Sequence, residues 1–259
     1  MQHRTMWAFA SVLVLVVAGA CGGGSEPAPA PAADSAPAAQ AIDPATAGNI
    51  SGTITLEGTP PEAETIRMAS DPACAAEAGD DTASEYFVVG DAGGLGNVFI
   101  HVSQGLEGRS FPEPADSVIL DQNGCRYRPH VFGIQVGQTL EVVNNDPTLH
   151  NIHARPAVNE EFNTGQPIEG MRYERVFTEA EVMVPFQCDV HGWMNAFVGV
   201  VDHPFFAVTA ADGAFDLSGL PPGDYVVEAW HEQFDDSQTQ TVTVGESATT
   251  KLNFTFTVG

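Results

Sequence analysis

Basic residues are nearly missing from this chain. Its 259 residues include 9 lysines and arginines against 34 acidic residues, a formal net charge of −25. Lys251 is the single lysine. So acidic a chain lacks the cationic surface that nucleic acid or an anionic lipid surface requires. It favours a basic partner steered by long-range attraction, or a high-salt habitat; solubility alone explains the same charge equally well. Sustained helical periodicity is also missing. The one long apolar run, Met6 to Val17, is too short to span a bilayer comfortably. Cysteine is scarce: Cys21, Cys74, Cys125 and Cys188 are all there is, and no CxxCH occurs, which excludes covalent c-type haem.

What is present at the N-terminus is a targeting pattern. His3 and Arg4 precede the apolar run, and the small residues Ala18-Gly19-Ala20 follow it, directly before Cys21. Small residues before a cysteine resemble a bacterial lipobox, although Ala18 stands where Leu is commoner. The resemblance implies a signal peptide over 1–20 and a lipid on Cys21. An ordinary secretory signal is the alternative. Residues 22–48 are mostly Gly, Ser, Pro and Ala, too poor in large apolar side chains to fold. A tether over 21–48 is expected, stiffened by its Pro-Ala repeats. The expectation is an exported, periplasmic or cell-envelope lipoprotein held to a membrane by its anchor.

From residue 49 onward, short β-branched or alternating runs are separated by Gly, Pro, Asn and Asp. Examples are Asn49–Leu56, Asn97–Val102, Thr139–Asn144, Val182–Phe186, Ala196–Val201 and Tyr225–Trp230. Many short strands with regular turns predict an all-β chain of sandwiches.

The chemistry is concentrated in Cys188-Asp189-Val190-His191-Gly192-Trp193-Met194, read with His150 upstream. One thiolate, two imidazoles and one thioether suit copper, and His2Cys with a weak axial Met is an electron-transfer arrangement. Zinc usually recruits a fourth strong ligand in place of Met. The competing explanation is a structural Cys, two surface histidines and a core Met.

The spacing Cys-x2-His-x2-Met with an upstream His-Asn resembles amicyanin closely and plastocyanin in kind. The resemblance implies a cupredoxin Greek-key sandwich over 116–203 holding one copper ion. It implies His150, Cys188 and His191 as equatorial ligands, Met194 as the axial one, and Asn151 as a tie between the ligand loops. Three positions depart from the family: Asp189 and Val190 replace commoner residues, and Trp193 precedes Met194. They put the spectroscopic class in question more than metal binding.

Residues 204–259 resemble the second half of a transthyretin-like, carboxypeptidase-regulatory-type sandwich, on Asp212–Leu217 and Leu220-Pro221-Pro222-Gly223-Asp224-Tyr225. Its first half is expected over 49–115, so that the copper sandwich is an insertion; consecutive small domains are the alternative. Arg128-Pro129-His130-Val131, His150-Asn151, the Cys188–Met194 loop, His203-Pro204 and Trp230-His231-Glu232 also resemble exported methylamine-utilisation-like proteins.

With lipid on Cys21 and copper on Cys188, Cys74 and Cys125 are left, and an oxidising compartment would join them; two free thiols is the alternative. His101, His130, His153, His203 and His231 are expected to be surface or hydrogen-bonded residues. No open coordination position is required, so a non-enzymatic electron carrier is expected, with a basic redox partner of the c-type cytochrome kind. A copper-delivery protein and a cell-surface scaffold are the alternatives.

Overall fold

The computed structural model describes residues 42–259. The signal peptide, Cys21 and the tether up to residue 41 lie outside the described residues. Within them the regular secondary structure is nearly all strand, with one short helix. The first strands are β1 (Gly48–Glu57), β2 (Phe99–Gln104), β3 (Val118–Gln122), β4 (Tyr127–Arg128), β5 (Val131–Gln135) and β6 (Thr139–Asn144). Next come β7 (His150–Ala154), β8 (Phe162–Gln166), β9 (Arg172–Val176), β10 (Glu181–Gln187) and β11 (Asn195–Val201). The last are β12 (Phe206–Val208), β13 (Ala214–Leu220), β14 (Gly223–Trp230), β15 (Gln238–Val244), β16 (Thr249–Lys251) and β17 (Phe254–Thr257).

Four sheets form, and two hydrophobic clusters pair them into sandwiches. The inner sandwich takes β3 to β11, with sheet orders β4-β3-β6-β9 and β5-β11-β10-β7-β8. Leu120, Tyr127, Phe132, Val142, Phe177, Phe186 and Val198 fill it. The outer sandwich draws on both ends of the described chain. Its β1 pairs antiparallel with β13 and parallel with β16 and β17, all of which follow residue 204. Its second sheet runs β12-β2-β14-β15. Alternation drives this: along β14, Tyr225, Val227 and Ala229 are buried while their neighbours are not. They pack with Ile50, Ile54, Ile100, Leu217 and Phe254.

A glycine pair lets the sandwiches meet. Gly133 on β5 and Gly199 on β11 are opposite each other. A Cβ on Gly199 would lie 2.2 Å from the Phe99 ring, and one on Gly133 would lie 2.3 Å from the Phe206 ring. Only a residue without a side chain admits those rings. Phe99, Val131 and Val201 make the seam between the two cores.

Two expected boundaries are corrected. The stretch 49–115 is not one piece of the outer sandwich, because Met68, Cys74 and Ala78 sit in the inner core. Cys74 and Ala78 lie on the helix α1 (Pro72–Ala78), which a disulfide between Cys74 and Cys125 joins to the β3–β4 turn. The helix starts where Asp71 accepts hydrogen bonds from the Ala73 and Cys74 amides and Pro72 takes the first position. The tether does not reach residue 48 as expected. Ile42 packs on the outer core, and Ser247 bonds back to the carbonyls of Ala45 and Thr46. An apolar side chain and a hydrogen-bonded turn end the polar linker early.

Candidate metal centre

Strand pairing brings the two candidate loops together. β7 and β10 are antiparallel neighbours, with Gln187 opposite His153 and Phe186 opposite Ala154. The start of β7, His150, therefore lies at the same end as Cys188, which follows β10. The Cys188–Met194 loop turns back into β11 and closes on itself. The Cys188 amide donates to the Met194 carbonyl at 3.0 Å, and the Met194 amide to the His191 carbonyl at 2.9 Å. His150 and Cys188 are fully buried, and His191 and Met194 nearly so.

The donor atoms converge. One ligand atom each from His150, Cys188 and His191 lies within 4.8 Å of the others. The Nδ1 atoms of His150 and His191 are 3.0 Å apart, and His191 Nδ1 is 3.9 Å from Cys188 Sγ. Both imidazoles thus turn the same ring atom inward. Their outer Nε2 atoms each meet a carboxylate. Asp146 Oδ2 is 2.8 Å from His150, and Asp71 Oδ2 is 3.0 Å from His191.

Asn151 bonds to the Cys188 loop. Its Oδ1 accepts from the Asp189 amide at 2.7 Å and from Cys188 Sγ at 3.3 Å. The buried Tyr127 hydroxyl donates to the Asn151 carbonyl and fixes that turn from below. Asp189, one of the departures, faces away from the donors. It accepts from Asn163 Nδ2 at 2.6 Å and pairs with His153 Nδ1 at 3.0 Å. Trp193, another departure, stands over His191 with ring centroids 5.1 Å apart, and its Nε1 donates to the Cys125 carbonyl at 3.1 Å.

The electrostatics favour an ionised sulfur. Burial pushes the Cys188 thiol up, but hydrogen bonds from His150, His191 and two backbone amides outweigh it and bring it down to about 6. Burial alone would lower the two histidines. Asp146 and Cys188 raise His150 instead, and Cys188 and Asp71 raise His191. A thiolate between two imidazoles is a ready set of metal donors.

Three of the remaining histidines bond other partners. His130 bonds the Asn195 carbonyl through Nδ1 and Glu232 through Nε2. His153 bridges Asp189 and Glu161. His203 donates to the Val102 carbonyl at 2.8 Å. Sequence reasoning missed Asp71 and Asp146. It also missed that the disulfide lies against the site, with Cys74 Sγ 3.6 Å from His191 Nε2.

Comparison with known proteins adds the following. Residues 194–257 match the family model of a carboxypeptidase regulatory-like domain. That match begins at Met194, inside the stretch expected for the inner sandwich, because β11 leads directly into the outer one. No curated protein matches the chain. Among solved structures, a reduced mutant of amicyanin is 25% identical, with 34% of this chain and 84% of that one covered and a TM-score of 0.30. A Cu-containing nitrite reductase from Thermus scotoductus SA-01 is 26% identical, with 40% of this chain and 25% of that one covered and a TM-score of 0.31. A purple cupredoxin from Nitrosopumilus maritimus is 27% identical, with 32% of this chain and 97% of that one covered and a TM-score of 0.28. At these TM-scores the likeness stands beside the site geometry and carries none of it.

Proposed function

We propose that this protein is a copper-binding electron carrier, exported and held to a membrane by a lipid on Cys21, with one copper at His150, Cys188, His191 and Met194. The observation that carries the reading is the convergence of Sγ and two Nδ1 atoms in a buried place. The donor set fits copper: a soft thiolate, two borderline imidazoles and a soft thioether, with no hard oxygen among them. Bound copper would supply a one-electron couple between its +1 and +2 states.

The chain's own residues do the rest. Cys188 offers a thiolate already favoured in the folded protein. Asn151 Oδ1 holds the amide that follows the sulfur, while the backbone amides of Asn151 and His191 donate to the thiolate. Burial keeps water from the donors and limits rearrangement, which suits a site that passes electrons without binding substrate. A delivery role would need a donor face open to an exchange partner, yet His191 is only 3% exposed. The acidic surface suits a basic redox partner outside the cytoplasm.

The test is the visible spectrum of the copper-loaded protein. An intense thiolate-to-copper band is expected, bleached reversibly by a mild reductant and lost in Cys188→Ser. A wild-type protein that binds copper but stays colourless and redox-silent sinks the carrier reading.

A further inference from the structure

Each candidate ligand imidazole has its outer nitrogen on a carboxylate, and both carboxylates hang from the two ends of one disulfide. Asp71 caps the turn that carries Cys74: its Oδ1 accepts from the Ala73 and Cys74 amides at 2.9 and 3.2 Å. Its Oδ2 faces His191 Nε2 and also accepts from Thr148 Oγ1 at 3.0 Å. Asp146 grips the turn that carries Cys125: it accepts from the Gly124 and Cys125 amides at 2.8 Å each. Its Oδ2 also faces His150 Nε2, and both side chains are fully buried. The Cys74–Cys125 bond joins these two supports across the His191 edge.

A carboxylate on the outer N–H fixes a histidine's tautomer, turns the other nitrogen to the metal and makes it a stronger donor. More negative charge around a copper site favours the +2 over the +1 ion. With the Cys74 turn and Asp71 laid over it, the outer edge of His191 is also closed to a partner.

We propose that Asp71 and Asp146 are positioning residues of the metal centre, which aim Nδ1 of His191 and His150 inward and hold the copper couple toward the oxidised state, with the disulfide as the brace that keeps both carboxylates in place. The proposal rests on the copper reading above.

The experiment compares the midpoint potential and visible spectrum of the copper-loaded full chain with those of Asp71→Asn and Asp146→Asn. Asparagine keeps a hydrogen-bond acceptor and removes the charge. Asp224→Asn, in the outer sandwich, removes the same charge far from the donors. Each site variant is expected to shift the ratio of Cu(I) to Cu(II) affinity about tenfold toward Cu(I), a rise of about 59 mV for one electron. Asp224→Asn is expected to leave the potential where it is. If both site variants keep the wild-type potential, or shift no further than Asp224→Asn, the proposal is overturned. Should Asp146→Asn fail to fold, Asp71→Asn decides alone, since the Asp71 side chain is 22% exposed and an asparagine oxygen there can still accept from His191. A wild-type protein without the thiolate band removes the copper reading itself. A band with unmoved potentials removes only the role of the carboxylates.

Discussion

Histidines are buried in both sandwiches, but in opposite company. At the metal end, His150 and His191 each face a carboxylate within hydrogen-bond distance, and both are raised against the pull of burial. In the outer sandwich, His101 has no hydrogen-bond partner on either ring nitrogen and stands 3.9 Å from Glu228. His231 Nε2 has none either. His203 bonds only to backbone. Burial lowers all three, His203 and His231 to about 4. These rings are used as aromatics: His231 stacks on Phe87 at 5.6 Å and His203 on Phe205 at 5.9 Å. The same side chain is thus a donor where an acid orients it and a neutral core ring where none does.

The disulfide belongs to one side of this comparison only, and removing it should have the largest effect. Cys74 and Cys125 are 51 residues apart in the chain. On the loop-entropy model, opening a loop of that length costs about 4 kcal/mol. Cys74→Ser with Cys125→Ser in the metal-free protein is expected to lower the urea midpoint accordingly. Because Asp71 and Asp146 hang from those turns, the copper-loaded variant should also show the raised potential of the Asn variants. A variant as stable as wild type with an unchanged potential would separate the brace from the carboxylates and break the contrast between the sandwiches.

The contrast was half legible in the sequence. The candidate donors follow from Cys188, His191 and Met194, which are local in sequence, and from the His150-Asn151 dipeptide after a strand. The strands follow from alternation, as along β14. The carboxylates were not legible. Asp71 meets His191 across 120 residues of chain, a contact only the finished fold creates. Asp146 is four residues from His150, yet 34 acids offer many such coincidences, and nothing local marks one as buried. The helix Pro72–Ala78 had a readable start in Asp71-Pro72, but seven residues are too few to show a helical period. For the other histidines, sequence alone could not say which ring would have an acid beside it.

Acid should act on the outer sandwich first. A histidine whose folded pKa is depressed is stabilising while neutral, above its unfolded value near 6.5. That stability is lost as pH falls from about 6.5 toward the folded value. With His203 and His231 each at about 4, the loss is of order ~3 kcal/mol per residue. Urea melts of the metal-free chain should therefore show stability falling between pH 6.5 and pH 4. His231→Phe keeps an aromatic ring against Phe87 and cannot titrate, so it should remove its own share of that fall while the shares of His101 and His203 remain. If its pH profile overlays the wild type, His231 is not buried neutral, and the comparison loses one of its arms.

The smallest effect is expected at the seam, where the two kinds of environment meet. His130 lies at the entrance to β5, while Glu232 follows β14 of the outer sandwich, and the two pair with both side chains only 5% exposed. Burial opposes charge on His130, but the hydrogen bond and charge of Glu232 outweigh it and hold its pKa above the ordinary value. The sign is then opposite to that of His231. The pair's contribution is complete below the unfolded pKa near 6.5 and is lost as pH rises through the raised folded value. In Glu232→Gln the alkaline side of the stability profile should flatten, while the acid fall set by His203 and His231 remains. The same variant puts a neutral amide against His130, whose Nδ1 still bonds the Asn195 carbonyl beside Met194. A profile in which Glu232→Gln changes the acid limb and not the alkaline one would place the charge on the wrong side of the seam. In that case the line between donor-type and core-type histidines would not run between the sandwiches.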